Sequence, residues 1–145
     1  MPALDAPVDD DTLVYRLVPV DSCDAVGGRW QFQSGAFDNS TPVRDDERDD
    51  EMSVVLGDTL EALNRIPERL PIETPCSDEP ERWGVAKLNT GFLRNEVAQD
   101  IVRSPKDDEL AHGDVRGAKN PKRRKKLKKH AEWVVEPRLP ARGSV

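Results

Sequence analysis

The chain has 145 residues, of which 36% are hydrophobic and 34% are charged, and its net charge is −6. This length fits one domain of ordinary size, and the apolar content is low for a globular chain. No apolar run approaches the roughly 18 residues of a membrane span, and the acidic N-terminus lacks the apolar stretch of a secretory signal. We therefore expect a cytoplasmic protein with one domain and attached polar segments.

The charge is distributed unevenly along the chain. Residues 1–115 contain 26 acidic and 11 basic side chains, whereas residues 116–145 contain 2 acidic and 11 basic side chains. Such asymmetry between two segments predicts that the basic end contacts a polyanion or an anionic surface.

The first 82 residues predict three strands and one helix. Apolar residues alternate in the first two strands, the third is a short apolar run, and Pro67 ends the helical pattern. In chain order the elements are a disordered acidic leader at 1–11, strands at 12–18 and 26–37, an acidic loop at 38–51, a strand at 52–56, a helix at 58–66 and a loop at 67–82.

The second part of the chain predicts four more strands and two more helices. In chain order these are a strand at 83–88, a helix at 90–98, strands at 100–104 and 110–116, a helix at 120–133, a strand at 134–135 and a disordered tail at 136–145. Asn120 is expected to cap the last helix, with Pro121 in its first turn. The whole pattern predicts a single α+β domain over 12–135, with a small mixed or antiparallel sheet and two or three short helices.

The helix at 120–133 has one narrow apolar stripe through Leu127 and Ala131. The remaining positions before His130, together with one residue ahead of the helix, are mostly cationic: Lys119, Lys122, Arg123, Arg124, Lys125, Lys126, Lys128 and Lys129. Cations near a helix N-terminus oppose its dipole, and like charges four residues apart repel. Nucleic acid, either RNA or DNA, would relieve this cost through phosphate contacts that carry no sequence preference.

Two alternative roles of the basic helix stay open. In the first, the helix is paired with the acidic body of the same chain, and in the second it binds an acidic partner protein. Insertion into a membrane is not expected, because the apolar stripe is too thin.

A second set of polar residues predicts a catalytic cleft. Arg16, Ser34, Ser53 and His112 come from separate predicted strands, and together they could bind a phosphorylated or nucleotide ligand. Arg16 would clamp a phosphate, and His112 would act as a general acid or base. This hypothesis requires both side chains to point into one concave site. In the alternative, Arg16 packs along apolar surface, the serines satisfy local backbone groups and His112 is structural.

Cofactors and metals are not expected from this sequence. Cys23 and Cys76 lack the close spacing of a metal site, and a pair of free thiols is the simplest interpretation. The acidic stretch at 45–51 lacks the spacing and the glycine of a calcium loop.

Several short motifs occur in an order that resembles a widespread group of short, uncharacterised bacterial proteins. The motifs are SGAF at 34–37, EMSV at 51–54, WGVAKLNTGFLR at 83–94, AHxxVxG at 111–117 and AEWV at 131–134. The resemblance implies a shared fold over most of residues 12–137 and no particular activity.

A second resemblance concerns the RES-type NAD-degrading toxins, which are of the ADP-ribosyltransferase-like class. It is carried by YR at 15–16 and GGRW at 27–30, and Gln31 follows where that pattern has Asn. This resemblance implies an enzyme in which Arg16 and Ser34 are the residues to test.

The sequence thus leads to three functional hypotheses. The first is a small non-enzymatic protein that contacts nucleic acid, or a nucleoprotein assembly, through the basic residues at 119–129. The second is a small enzyme of ADP-ribosyltransferase-like type that acts on a nucleotide through Arg16, Ser34 and His112. The third is an accessory subunit whose basic helix binds an acidic protein.

Overall fold

The structure is a computed structural model that describes residues 2–37, 51–74 and 79–138, apart from the side chain of Ser34. These residues form eight strands and four α-helices. The strands are β1 (Leu13–Pro19), β2 (Cys23–Val26), β3 (Arg29–Phe32), β4 (Glu51–Leu56), β5 (Trp83–Asn89), β6 (Asp100–Arg103), β7 (His112–Arg116) and β8 (Glu132–Val135). The helices are α1 (Gly57–Ala62), α2 (Leu70–Glu73), α3 (Thr90–Glu96) and α4 (Pro121–His130).

Six of the strands form one antiparallel sheet in the order β6-β7-β4-β1-β5-β8, and β2 and β3 form a separate hairpin. The predicted α+β class is therefore confirmed, with the antiparallel form of the sheet. The central strand β1 lies between β4 and β5, so residues from distant parts of the sequence meet at the middle of the sheet.

Helices cover both faces of the six-stranded sheet. Side chains alternate along a strand, so neighbouring residues of β1 enter different cores. Val14 packs in the larger core with Leu93 of α3 and Leu127 of α4. Tyr15 packs in the smaller core with Leu60 of α1, on the opposite face.

The predicted strand at 26–37 is instead a hairpin followed by a 3₁₀ helix. Gly27 and Gly28 have φ values of 59° and 79°, and Val26 pairs with Arg29 across them. Positive φ at both central residues is the geometry of a two-residue hairpin turn, which glycine adopts without steric cost. The chain then forms a 3₁₀ helix over Ser34–Phe37.

Three helices end earlier than predicted, and the third, α3, ends at Glu96 rather than at 98. Helix α1 ends at Ala62 because Asn64 adopts a left-handed conformation with φ of 55°, which terminates a helix. Helix α4 begins as predicted, since the Asn120 side chain accepts a hydrogen bond from the Arg123 backbone N–H at 2.9 Å. It ends at His130, and the following residue already has extended backbone angles.

The early end of α4 places Trp133 in β8 rather than in the helix. Its ring packs against Phe32 at a centroid separation of 4.2 Å. The strand passes so close to β5 that a Cβ at Gly84 would lie 2.5 Å from the Trp133 ring. Aromatic packing thus outweighs the helical pattern in this segment.

The predicted loop at 67–82 also contains structure, namely α2 and two 3₁₀ turns over Pro67–Arg69 and Pro80–Arg82. Each of these short elements has a proline near its start, where the missing N–H costs no intrahelical hydrogen bond. The prolines that favour a loop in the sequence are therefore helix-initiating residues here.

The segment at 1–11, which the sequence predicts to be a disordered leader, contacts the fold at residues that the structure describes. Val8 is 1% exposed and lies in the larger core. The Arg103 side chain donates to the Ala6 carbonyl at 2.9 Å, and Arg94 donates to the Val8 carbonyl. Acidic composition suggests a solvated segment, but one buried valine and two arginines attach it to the fold.

Some predictions fall outside the described residues. The acidic loop is described only from Glu51, which begins β4, and the C-terminal tail only from 136 to 138. Cys76 also lies outside, whereas Cys23 is a buried free thiol whose pKa is raised to about 11, first by burial and then by nearby Asp24.

No helix within the described part of the chain is long and apolar enough to cross a membrane. The same residues contain no group of three or more His, Cys, Asp or Glu side chains that could hold a metal ion.

Candidate functional site

The two central strands of the sheet separate partway along their length. β1 pairs with β5 continuously from Leu13 to Pro19. With β4, in contrast, it pairs at Val14–Leu56 and Tyr15–Val55. Beyond Tyr15 the two strands part, and the sheet divides into a β6-β7-β4 half and a β1-β5-β8 half.

Arg16 is the first residue of β1 beyond the point of separation. Its Nη1 donates to the Ser53 carbonyl of β4 at 2.8 Å, and its Nε lies 3.3 Å from the Ala36 carbonyl, to which it donates. These bonds span the space where ladder hydrogen bonds between the strands would otherwise form. Arg16 thus connects three segments and holds the opening at a fixed width.

A cavity of about 440 Å³ occupies the gap between the strands. This volume lies within the usual range for small-molecule sites. Its apolar lining includes Tyr15, Leu17 and Trp83. Its polar lining comprises Arg16, Ser22, Ser53, Thr74, Lys106, Asp108, Glu109 and His112. Apolar surface beside several polar side chains is the combination by which a pocket binds and orients a ligand.

His112, the first residue of β7, is buried and lines this cavity as well as a smaller one next to Leu56 and Arg103. Its Nδ1 lies 2.8 Å from the Ser104 hydroxyl and 3.0 Å from the Ser104 carbonyl. Its Nε2 is buried and has no hydrogen-bond partner among the described residues. When Nδ1–H donates to the carbonyl, Nε2 carries a free lone pair that can accept a proton. A buried nitrogen without a partner is costly unless a ligand or water satisfies it.

Glu109 forms the charged wall beside His112. Its carboxylate is 4% exposed and accepts two hydrogen bonds from Arg65, at 2.5 and 2.9 Å, and one from the Ala111 backbone N–H at 3.2 Å. Burial alone would raise the pKa of this carboxyl, but the hydrogen bonds from Arg65, Ala111 and Thr74 hold it below its usual value. Glu109 is therefore an ionised structural group that fixes the turn leading into His112.

The cavity brings together most of the residues that the sequence suggests for a cleft. Arg16, Ser53 and His112 all line it. The side chain of Ser34 is not described, but the next two residues, Gly35 and Ala36, also line the cavity. The convergence required by the enzyme hypothesis is thus present for three of its four residues.

Arg16 and His112 reach this cavity from opposite faces of the sheet. Arg16 pairs with Ala86 on the face that α3 and α4 cover, whereas His112 pairs with Val55 on the other face. In a continuous sheet these side chains would be separated by the backbone layer. Here both border one cavity because the strands part between them.

The sequence does not identify Glu109 and Thr74 as lining residues, nor Arg65 as the partner of Glu109, since it predicts a polar turn at 106–109 and a loop at 67–82. Hydrogen bonds between the Lys106 and Glu109 backbones, each at 3.0 Å, show that the turn is a compact bridge. The available signal is the acidic residue three positions before His112, but its partner Arg65 is 44 positions away.

The basic helix α4 forms a second charged surface. Lys122, Lys125, Lys128 and Lys129 are exposed and form no ion pair within residues 2–37, 51–74 and 79–138. Leu127 is fully buried beneath the helix and fixes its orientation. We call these four lysines the α4 lysine surface.

The other basic residues predicted to bind nucleic acid are engaged with the protein itself. Lys119 is 5% exposed and donates to the Val115 and Gly117 carbonyls at 2.9 and 3.0 Å. Arg123 donates to the Ala118 carbonyl at 2.8 Å, and Lys126 donates to the Glu96 carbonyl at 3.0 Å. Arg124 is half-buried.

No family model, curated protein or solved structure matches this chain.

Proposed function

We propose that the cavity between β1 and β4 binds a nucleotide-like ligand and that the protein is a small enzyme of ADP-ribosyltransferase-like type. The observation that carries this proposal is the convergence of Arg16, Ser53 and His112 on one cavity, with the buried Nε2 of His112 lacking a partner in the described structure. The resemblance of the YR and GGRW motifs to NAD-degrading toxins selects NAD as the first ligand to test.

In this proposal Arg16 binds the phosphates of the ligand. Its guanidinium is already positioned by the Ser53 and Ala36 carbonyls, so little conformational entropy is lost when an anion approaches. Lys106 adds a second cation to the cavity lining. Two cations beside an apolar wall suit a ligand with a charged diphosphate and flat rings.

In the same proposal His112 is the general base for cleavage of the glycosidic bond of NAD. Water attacks the ribose carbon and forms a new C–O bond, while the C–N bond breaks and nicotinamide leaves with its electron pair. The proton lost by the water passes to Nε2. The Ser104 hydroxyl and carbonyl hold the opposite ring nitrogen and fix the orientation of the imidazole.

The test measures both binding and turnover of NAD. Nicotinamide release is followed by chromatography, and binding of NAD and ADP-ribose is followed by calorimetry. We expect His112→Gln to lower the rate by about 10²-fold or more with little change in affinity. Arg16→Gln should weaken binding by roughly 10- to 100-fold, because it removes charge-assisted hydrogen bonds to phosphate.

Lys125→Gln is the matched control, since it removes one cation from α4 and leaves the cavity intact. Thermal melting of each variant separates loss of function from loss of fold. Failure of the native protein to bind NAD, ADP-ribose or other nucleotides would refute the proposal. Equal affinity of the native protein and folded Arg16→Gln would exclude the phosphate role of Arg16.

We propose as a second function that α4 contacts a polyanion, namely nucleic acid. The specific support is the α4 lysine surface, whose four exposed cations lack acidic partners in the described parts of the chain. Each phosphate neutralised by such a cation releases condensed counterions, which favours binding at low salt. The acidic residues elsewhere would orient the polyanion toward α4.

A salt titration tests the polyanion proposal. Labelled DNA and RNA oligonucleotides are titrated at about 50 and 200 mM salt, and roughly four phosphate contacts, one for each lysine of the surface, should weaken binding by roughly 10²-fold. Reversal of the four lysines to glutamate should abolish binding.

Lys106→Glu and Lys125→Glu change the net charge equally, so a selective effect of Lys125→Glu locates the contact on α4. Absence of binding at low salt would instead favour an acidic protein partner.

A further inference from the structure

An open cleft of about 340 Å³ lies where α3 meets α4. It is lined by Phe92 and Glu96 from α3 and by Lys126, Lys129 and His130 from α4. The cleft is distinct from the cavity between β1 and β4, since the two have no lining residue in common. It combines two flat rings, two cations and one carboxylate.

The two rings are stacked and held in place by a common residue. The Phe92 and His130 rings are 3.8 Å apart, with an angle of 6° between their planes. The Asn89 backbone N–H donates to His130 Nε2 at 3.1 Å, and the Asn89 side-chain oxygen accepts from the Phe92 backbone N–H at 2.9 Å. The stack is therefore preorganised rather than formed by two mobile side chains.

The cations that line the cleft are next to the α4 lysine surface, or part of it. Lys129 belongs to that surface and also lines the cleft. Lys126 lines the cleft as well, and its ammonium group donates to the Glu96 carbonyl at 3.0 Å. A phosphate chain following the exposed lysines would consequently pass the mouth of the cleft.

We propose that this cleft receives an unpaired base of single-stranded nucleic acid, which stacks on the Phe92–His130 pair while α4 lysines hold the flanking phosphates. The inference rests on the polyanion function proposed for α4 and names the class of polyanion. Stacking of bases on aromatic side chains beside a basic track is the usual means of sequence-tolerant single-strand binding. A base inside a duplex is already stacked and paired, so it cannot enter the cleft.

Glu96 adds a preference among bases. Its side chain is exposed at the cleft, and a carboxylate accepts hydrogen bonds from exocyclic amino groups. Adenine and cytosine carry such groups, whereas thymine does not. Oligo(dA) and oligo(dC) should therefore bind more tightly than oligo(dT) of the same length.

The test uses single-stranded DNA of 12 nucleotides and the matching duplex, each with 2-aminopurine near the middle of the strand. The native protein should bind the single strand more tightly than the duplex and quench the 2-aminopurine fluorescence by stacking. Phe92→Leu should weaken single-strand binding by about tenfold and abolish the quenching, with duplex binding unchanged. Phe92→Tyr retains a ring and should behave like the native protein.

The results separate this inference from the function on which it rests. Salt-dependent binding that is equal for single strand and duplex, and unaffected by Phe92→Leu, would overturn the base cleft and leave the polyanion contact standing. No binding of either DNA at about 50 mM salt would overturn both. Thermal melting confirms that Phe92→Leu is folded before its affinity is compared.

Discussion

The arginines in the interior of the protein form ion pairs with carboxylates, whereas the exposed lysines on α4 form none among the described residues. Arg65 and Arg103 each meet a carboxylate, Glu109 and Asp58 respectively, at 2.5 to 2.6 Å. The α4 lysine surface has no such partners in the described chain. Charge inside the protein thus holds parts of the fold together, whereas the charge of the α4 lysine surface stays exposed to solvent.

The arrangement on α4 is locally unfavourable for the helix. Lys122 and Lys125 lie in the first turns of α4, where the helix dipole disfavours cations, and each lysine repels others on the same face. The Asn120 cap and burial of Leu127 oppose this cost. A bound polyanion would remove the repulsion, so binding and helix stability should be coupled.

The largest effect on stability is expected from Glu109→Gln. The change removes the pair between the buried Glu109 carboxylate and Arg65, which is 22% exposed and keeps only its longer contact with Glu73 at 3.2 Å. We expect a loss of about 3 kcal/mol in the free energy of unfolding, measured by urea denaturation. Glu132→Gln is the control, because Glu132 is 72% exposed and its nitrogen–oxygen distance to Lys87 is 3.9 Å. Similar losses of stability in Glu109→Gln and Glu132→Gln would contradict the expectation that the buried ion pair contributes more than the exposed one.

A smaller effect is expected from Arg103→Gln. The Arg103 guanidinium is 6% exposed, and it joins Asp58 to the Ala6 carbonyl of the leader. We expect a loss of about 2 kcal/mol and faster proteolysis within residues 2–11, since charge-assisted hydrogen bonds are removed. Arg116→Gln, at a pair with Glu51 in which the arginine is 48% exposed, should change neither quantity appreciably. An intact, protease-resistant leader in Arg103→Gln would show that Val8 alone attaches it.

The pH dependence of unfolding should report the same paired carboxylates. Hydrogen bonds from Arg103 lower the pKa of Asp58. Burial raises the pKa of Glu109, but the charge of Arg65 and the hydrogen bonds from Arg65, Ala111 and Thr74 together lower it. A lowered folded pKa contributes stability above the unfolded values of about 3.9 and 4.3. That stability is lost as the pH falls through the folded pKa. The melting temperature should therefore drop steeply below about pH 4, and Glu109→Gln should show a shallower drop.

The sequence predicts the elements of the fold better than it predicts their ends. Alternating apolar residues locate β1 and β5, because a half-buried strand imposes that pattern on the sequence, and a short apolar run locates β4. The end of α4 cannot be read locally. It is set by Trp133, which packs on Phe32 from the first quarter of the chain.

The sequence predicts which residues form the candidate site, but it does not predict how they are arranged in space. Arg16, Ser53 and His112 stand out as polar residues on apolar strands, and all three line the cavity. The gap between β1 and β4 is not predictable, since strand order and register depend on contacts between distant segments. The Phe92–His130 stack escapes prediction for the same reason, as it joins two helices through Asn89.

The smallest expected effect on stability comes from Lys125→Ala, which tests whether the exposed lysines of α4 repel one another. Lys125 lies within three or four positions of Lys122, Lys128 and Lys129, so Lys125→Ala removes three repulsive contacts and adds a better helix former. We expect a gain of roughly 0.2–0.5 kcal/mol in the free energy of unfolding per repulsive pair removed at low salt, and a smaller gain at about 0.5 M salt because of screening. Urea denaturation at the two salt concentrations provides the measurement. A loss of stability at low salt would mean that Lys125 is attracted to an acidic segment of its own chain, and α4 would then be neutralised from within rather than left for a partner.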